Sequence, residues 1–163
     1  MSPLISQGYL PGAIGRIVTL HGTYYHRQAG FGAFFEAKVA RELAEFMGRF
    51  DEHRDGLWLL AKERIAEGAI VIDGLNAAAQ GAHLRWFIVA DPLQGQGFGN
   101  TLLAAAMGFC RARRYDRVYL WTFAGLDAAR HLYEKWGFQL SEQRQGRQWG
   151  TEVQEQRFEW RLS

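Results

Sequence analysis

The residue pattern with the clearest chemical use is a glycine-rich segment from Gln94 to Asn100, with the sequence QGQGFGN. It directly follows an apolar run typical of a buried strand and precedes an apolar pattern typical of an amphipathic helix. Glycines let the backbone turn sharply and present successive N–H groups, and the positive end of a helix dipole favours an anion. The segment therefore indicates either a pyrophosphate-binding turn or a tight turn with a purely structural role.

Two common nucleotide-binding patterns do not fit this segment. A P-loop ends in Gly-Lys-Ser or Gly-Lys-Thr, whereas Gly99 is followed by Asn100 and Thr101. A dinucleotide fingerprint has the spacing G-x-G-x-x-G early in a βαβ unit, with an acidic residue about 20 positions later. Here the spacing is G-x-G-x-G, late in the chain, and the next predicted strand ends in Trp-Thr-Phe.

The elements that position this segment follow from the spacing of apolar residues. Helical spacing predicts helices over residues 31–50, 99–113 and 127–136. Short apolar runs predict strands over 57–64, 68–75, 83–90, 117–123, 138–143 and 152–162, with the first hairpin turning at 66–68. Residues 15–21 are predicted as a strand and 22–28 as a brief helix. The order of elements predicts an α/β (α+β) fold, a mixed sheet with helices on both faces.

Length and composition limit the function classes. A chain of 163 residues with 48% apolar residues can bury one sizeable core, and we expect a single domain over 1–163. The net charge of +2 is too small to indicate a nucleic-acid surface. No window approaches the roughly 18 consecutive apolar residues of a membrane span, and the first residues do not resemble a signal peptide. We expect a cytoplasmic protein that binds neither nucleic acid nor membrane.

The lone cysteine and the basic cluster have simple structural interpretations. Cys110 lies in an apolar helical pattern, which predicts a buried thiol and excludes a disulfide or a cysteine-rich metal site. Four arginines between Arg111 and Arg117 suit a solvated helix C-terminus, where the helix dipole favours cations. The alternative is that part of this cluster faces an anionic ligand.

Two motifs together resemble the GNAT family of N-acetyltransferases. Gln94, Gly97 and Gly99 fit the family signature Q/R-x-x-G-x-G/A. Residues 129–138, with the sequence ARHLYEKWGF, resemble the family's A-x-x-L-Y-x-x-x-G-F helix and strand. The motifs lie about 35 residues apart in the family's order, with a predicted strand between them. The resemblance implies the GNAT fold, a mixed, mostly antiparallel sheet of about seven strands with helices on both faces.

Shorter matches are similar to the acetyltransferase domain fused to MarR-like transcriptional regulators in bacteria. They are His21-Gly22, Tyr25, Gly30, Phe35-Glu36, Phe50-Asp51, Leu84-Arg85, Leu120-Trp121-Thr122 and Ala128-Ala129-Arg130. The chain has no room for the regulator's winged helix, so we expect a stand-alone relative or an excised domain.

The resemblance implies a metal-free enzyme that transfers an acetyl group from acetyl-CoA to an amine by direct attack in a ternary complex. It places the pantetheine arm of the cosubstrate along Phe87, Ile88 and Val89. The pyrophosphate is expected on the backbone amides of Gly95, Gln96, Gly97, Gly99 and Asn100, and Gln94 and Phe98 are also expected among the cosubstrate-binding residues. Leu126 departs from the family pattern, which commonly has an asparagine there, and the family proline is displaced to Pro92.

The resemblance also implies catalytic residues. Tyr133 corresponds to the tyrosine that protonates the departing CoA thiolate, with a packing role as the alternative. Glu36 is the candidate base for the acceptor amine, with a solvated helix glutamate as the alternative, and His21 and His83 are poorer candidates.

The acceptor is expected to be a small-molecule or peptide amine. Trp86, Trp121, Phe123 and Trp149 suggest an aromatic-lined site, although each suits a core equally well. The aromatic C-terminal strands offer a surface for a homodimer. A non-catalytic acetyl-CoA-binding sensory module is the alternative function.

Overall fold

The computed structural model describes residues 2–163, and its centre is one seven-stranded sheet. The strands are β1 (Leu4–Gln7), β2 (Gly56–Lys62), β3 (Ile65–Asp73), β4 (Ala82–Val89), β5 (Arg117–Phe123), β6 (Gln139–Gly146) and β7 (Val153–Arg161). They lie in the order β1-β2-β3-β4-β5-β7-β6, and only the β4–β5 pair is parallel. The predicted mixed, mostly antiparallel sheet is confirmed.

Helices cover both faces of this sheet, as predicted. They are α1 (Ala13–Ala29), α2 (Ala33–Gly48), α3 (Ala77–Gln80), α4 (Phe98–Ala112) and α5 (Asp127–Lys135), with a short 3₁₀ turn at Asp91–Leu93. In β2, Leu57 and Leu59 pack with α1 and α2, whereas Trp58 and Leu60 pack with α4 on the other face. Alternate residues of a strand point to opposite faces, so this central strand contributes to both cores.

Helix α1 corrects the prediction for the first part of the chain. The sequence predicts a strand over 15–21, but α1 runs without a break from Ala13 to Ala29. The β-branched run Ile17-Val18-Thr19 is locally strand-like, yet Ala13 and Ile17 lie one helical turn apart and pack together against α2 and the sheet. Burial of the helical stripe therefore decides the conformation. Strand β1, which the sequence analysis missed, lies before this helix.

The first hairpin turns earlier than predicted. Glu63 and Arg64 have φ values of 52° and 67°, and Lys62 pairs with Ile65 across them. Two consecutive left-handed residues are the geometry of a two-residue type I′ hairpin turn. The prediction of a turn at 66–68 is wrong, because Ala66 and Gly68 lie within β3, where a Cβ on Gly68 would approach the Ile88 carbonyl oxygen to 2.9 Å.

Strands β4 and β5 separate soon after they begin. Only Ala82 and His83 pair with β5, through Val118 and Tyr119. Farther along, β4 contains a bulge at Trp86, which has a φ of 47°, and the pairing with β3 shifts there. Bulges bend a strand and redirect its side chains. The sheet therefore opens into a cleft between the second half of β4 and β5.

Candidate active site

The cleft between β4 and β5 contains a cavity of about 460 Å³. Its walls come from the end of β4, the glycine-rich turn, the start of α5 and the end of α1. The lining residues are Tyr24, Tyr25, Gln28, Phe87, Ile88, Val89, Leu93, Gln94, Gly95, Gly99, Thr122, Gly125, Leu126, Asp127, Ala128, Ala129, Leu132 and Tyr133. A cavity of this size falls in the range of small-molecule and cofactor sites.

The glycine-rich turn presents backbone donors at the end of this cleft. Gly95 and Gly97 have φ values of 77° and 86°, a left-handed conformation that glycine adopts without strain. Gly97 caps the N-terminus of α4, and no side chain caps that helix. Within residues 2–163, no backbone carbonyl accepts a hydrogen bond from the N–H groups of residues 95–100. These free donors and the helix dipole form an anion-binding geometry.

Side chains around the turn hold its shape. The Gln94 amide donates to the Val89 carbonyl oxygen over 2.9 Å, and the Gln96 amide donates to that of Pro92 over 3.0 Å. The Trp136 indole N–H donates to Asn100 Oδ1 over 2.9 Å, which ties α5 to α4. The amide side chains of this segment therefore support the backbone.

The predicted cosubstrate-binding residues divide into two groups. Six of the ten line the cleft: Phe87, Ile88, Val89, Gln94, Gly95 and Gly99. Four others do not line it: Gln96, Gly97, Phe98 and Asn100. Phe98 packs against the core, and Asn100 bonds Trp136. The side chains of Gln96, Phe98 and Asn100 are therefore engaged within the protein.

The sequence analysis missed the contribution of α1 to the cleft. Tyr24, Tyr25 and Gln28 line it from the last turns of α1, a helix that was only partly predicted. The helical spacing of Ile17, His21 and Tyr24 is the signal that could have identified them. Leu126, where the family commonly has an asparagine, also lines the cleft and precedes α5 without capping it through a side chain.

A second, smaller cavity of about 150 Å³ meets the cleft. Its lining includes all four residues expected at an aromatic acceptor site, Trp86, Trp121, Phe123 and Trp149. The residues that line both cavities are Tyr25, Phe87, Thr122 and Tyr133. The cleft and this smaller cavity, which we call the aromatic cavity, therefore meet at a junction formed by these four residues.

Tyr133 lies at this junction. It is 7% exposed, and its ring packs near Phe87, Phe138 and Phe158 with centroid distances of 6.1, 6.0 and 6.2 Å. Burial, and secondarily the neighbouring Tyr25, raises the pKa of the Tyr133 hydroxyl. The side chain therefore keeps its proton at neutral pH and can act as a hydrogen-bond donor.

Glu36 lies away from both cavities. It is on α2, as predicted, but its side chain is exposed and faces Gly22 of α1 in an open surface depression. The residues that α2 turns toward the aromatic cavity are Phe35, Lys38, Val39 and Glu42. The prediction correctly identifies α2 as the helix beside the aromatic cavity, but Glu36 is on a different face of that helix. It follows the buried Phe35 by one position, so its side chain points away from the cavity.

Two histidines line the aromatic cavity in their neutral form. Burial lowers the pKa of His21 to about 4, and its Nδ1 lies 2.8 Å from the Ile17 carbonyl oxygen, to which it must donate. Burial, together with the nearby Arg85, also lowers the pKa of His83, which stacks on Tyr119 at 4.5 Å. Neither imidazole binds a proton readily at neutral pH.

The basic cluster lies far from the glycine-rich turn. Arg113 donates to the carbonyl oxygens of Glu52 and His53, and Arg117 to that of Ala79. Helix α4 has 15 residues, so about 22 Å separates its two ends. The alternative that these arginines face a ligand at the turn is therefore not supported.

The described part of the chain shows neither a metal-binding cluster nor a membrane-spanning helix, and its cysteine is buried. Among residues 2–163, no group of three His, Cys, Asp or Glu side chains is arranged to hold a metal ion. No helix in that range has the length and apolar character needed to cross a membrane. Cys110 is fully buried in α4, where burial raises the pKa of its thiol to about 12.

Comparisons with known proteins agree with this geometry. The family model described as Acetyltransferase (GNAT) family matches residues 20–138. N-alpha-acetyltransferase 80 of Mus musculus is 41% identical over 59 residues, which is 36% of this chain and 18% of that protein.

Solved structures share the fold over the whole chain. The protein yncA of Salmonella typhimurium, in a structure with its cofactor acetyl-CoA, has a TM-score of 0.77 at 14% identity and covers 100% of this chain and 95% of its own. A GNAT family acetyltransferase of Elizabethkingia anophelis with acetyl-CoA bound has a TM-score of 0.70 at 14% identity and covers 99% of both chains. At such identities the likeness establishes the fold.

Proposed function

The chain belongs to the GNAT acetyltransferase family, and from that premise we propose that it transfers the acetyl group of acetyl-CoA to a neutral amine held in the aromatic cavity. The observation that supports this most is the junction of the two cavities at Tyr133. Two substrates that occupy separate compartments can meet there for direct attack in a ternary complex, which gives the advantage of proximity.

Acetyl-CoA is proposed to occupy the larger cleft. Its pyrophosphate suits the free N–H groups of residues 95–100, because an anion there is stabilised by several donors and by the dipole of α4. The pantetheine arm is proposed to lie along the second half of β4, which is not paired with β5. The Val89 carbonyl oxygen accepts a hydrogen bond from the Gln94 side chain, on the side of β4 away from β3. Because the N–H of a strand residue points to the same side as its carbonyl, the Val89 N–H also points away from β3.

Tyr133 is proposed as the general acid. The thioester sulfur acquires negative charge as the C–S bond breaks, and a protonated phenol at the junction can donate to it. The carbonyl of the acetyl group is expected to receive a hydrogen bond from an amide of β4. Glu36 has no part in this proposal, because it lines neither cavity.

The test of the proposal is a pair of substitutions at Gly99, in the cleft wall. A Cβ there would lie 3.5 Å from Leu132 and from Phe87, which is ordinary contact, so Gly99→Ala fits. Gly99→Leu adds three more carbons beside the same wall. We expect Gly99→Leu to lose acetyl-CoA binding, measured by calorimetry, and CoA release with a panel of amines, while Gly99→Ala retains both.

Equal acetyl-CoA affinity in Gly99→Leu and the wild type would show that the cosubstrate does not use this cleft. Acetyl-CoA binding without CoA release from any amine would instead indicate the regulatory module that the likeness to regulator-fused domains suggests.

A further inference from the structure

The aromatic cavity has a charged end built from α2 and β4. Lys38 and Glu42 of α2 and Arg85 of β4 all line it. The Arg85 guanidinium donates to Glu42 over 2.6 Å, and Lys38 forms an ion pair with the same carboxylate. Arg85 also stacks over the Trp86 ring, 4.1 Å from its centroid. These contacts keep two cationic side chains at the wall of a cavity whose lining is otherwise mostly aromatic and aliphatic.

Three cationic side chains, Lys38, Arg85 and Arg49, share two directly bonded carboxylates, Glu42 and Asp73, at this end. Behind the wall, Asp73 receives two hydrogen bonds from Arg49, over 3.0 and 2.7 Å, and one from Arg85 over 3.1 Å. Arg49 therefore matches the charge of Asp73, and a single carboxylate, Glu42, remains for Lys38 and Arg85. One cation of the cavity wall is left without a matching anion among these groups.

The histidine beside this cluster adds no negative charge. His83 lines the cavity next to Arg85, and its lowered pKa keeps it neutral at pH 7. Among the described residues, Glu42 and Asp73 are therefore the carboxylates that pair with Lys38 and Arg85 at this wall. Hydrogen bonds to charged groups in a partly buried site are stronger than those between neutral groups.

The size and lining of the cavity indicate the rest of the ligand. Its volume of about 150 Å³ is that of a cavity able to hold a benzene-sized molecule. Its walls include Phe31, Phe35, Trp86, Trp121 and Trp149. Aromatic walls favour a flat apolar group, which they contact at their faces and edges.

We propose that the acceptor is a primary amine of single-ring size that also carries a carboxylate, and that Lys38 and Arg85 bind this carboxylate. This inference rests on the proposed acetyl transfer to an amine. The amine end points to the junction at Tyr133, the ring lies between the aromatic walls, and the carboxylate reaches the charged end. Lys38 and Arg85 are specificity-determining residues in this arrangement.

The experiment compares benzylamine with its para- and meta-carboxylates as acceptors. We expect the wild type to have a higher kcat/KM for at least one carboxylate than for benzylamine. Lys38→Met keeps the side-chain length and removes the charge, so this preference should fall about 10-fold, the effect of losing one hydrogen bond to a charged group. Lys38→Arg should restore the preference, and Lys62→Met, at an exposed lysine outside both cavities, should not change it.

The outcomes separate this inference from the proposed function. A wild-type kcat/KM for benzylamine equal to or above that of both carboxylates would overturn the inference. So would a preference that Lys38→Met leaves intact, or CoA release only with amines outside this class, and the proposed acetyl transfer would survive these results. Absence of CoA release with every amine would reject the proposed function, and the inference with it.

Discussion

At the scale of single residues, Tyr133 combines a fixed ring with a hydroxyl at the meeting point of two cavities. Three aromatic neighbours pack around the ring, and its backbone carbonyl accepts a hydrogen bond from the Phe138 N–H over 3.0 Å. A catalytic donor must be held in place before the reaction begins. A catalytic donor must also carry its proton, and burial raises the pKa of the Tyr133 hydroxyl, so the phenol remains protonated across the neutral range.

We therefore expect Tyr133→Phe to lower kcat about 100-fold, which is within the contribution of general acid catalysis. Phenylalanine preserves the packed ring and removes only the hydroxyl, so acetyl-CoA affinity should stay unchanged. Steady-state CoA release and calorimetry measure the two quantities. Tyr9→Phe is the matched control, because Tyr9 is 58% exposed and lines neither cavity.

Wild-type turnover in Tyr133→Phe, with chemistry shown to be rate-limiting, would make Tyr133 a packing residue. A parallel loss of acetyl-CoA binding would assign the hydroxyl to binding instead.

At the scale of elements, the site depends on how α4 begins. Gly97 is the N-cap in a left-handed conformation, and Gly99 in the first turn of the helix lines the cleft. The same helix also contains Gly108, which has helical geometry, is exposed and has open space where a Cβ would be. Gly97 and Gly108 therefore differ in their backbone conformation.

The same substitution at these two positions should have opposite effects on stability. Gly97→Ala places a Cβ on a left-handed residue and should lower the free energy of unfolding by about 1 kcal/mol. Gly108→Ala should raise it by about 0.5 to 1 kcal/mol, because alanine is the better helix former. Urea unfolding measures both. A stabilised Gly97→Ala variant would contradict the left-handed cap.

At the scale of the whole molecule, two helical layers bury the sheet and several polar groups with it. His21 of α1 is 4% exposed, and its only hydrogen bond among the described residues is to the Ile17 carbonyl within the same helix. Burial favours the neutral imidazole, so its pKa falls from 6.5 to about 4 in the folded state. Folding is therefore coupled to the proton that this residue must release.

This coupling predicts a pH-dependent loss of stability. Between pH 6.5 and 4 the unfolded chain protonates at His21 while the folded chain does not, so the free energy of unfolding falls as the pH falls. At pH 5, relative to pH 7.5, the loss from this residue is on the order of 2 kcal/mol.

Urea unfolding at the two pH values measures the loss. His21→Gln should reduce this difference between the two pH values, whatever its effect at pH 7.5. His53→Gln, at an exposed histidine, should retain it. An unchanged pH difference in His21→Gln would show that His21 does not carry the coupling.

The sequence by itself determined the features that depend on a few neighbouring residues. The helical stripes predicted α2, α4 and α5 to within a few residues, and the glycine pattern predicted the turn at 94–100, because both are local backbone preferences. The family likeness, which rests on two short motifs, correctly anticipated the fold and the enzyme class.

Only the tertiary structure decided the features that depend on contacts between distant segments. Packing against the sheet made residues 15–21 helical, and the face that α2 buries turned Lys38 and Glu42, rather than Glu36, toward the aromatic cavity. The separation of β4 from β5 opened the cleft and brought Trp86, Trp121 and Trp149 around one space. Local periodicity shows which residues are buried but not which segments they meet, since that choice is made by the packing of the whole sheet.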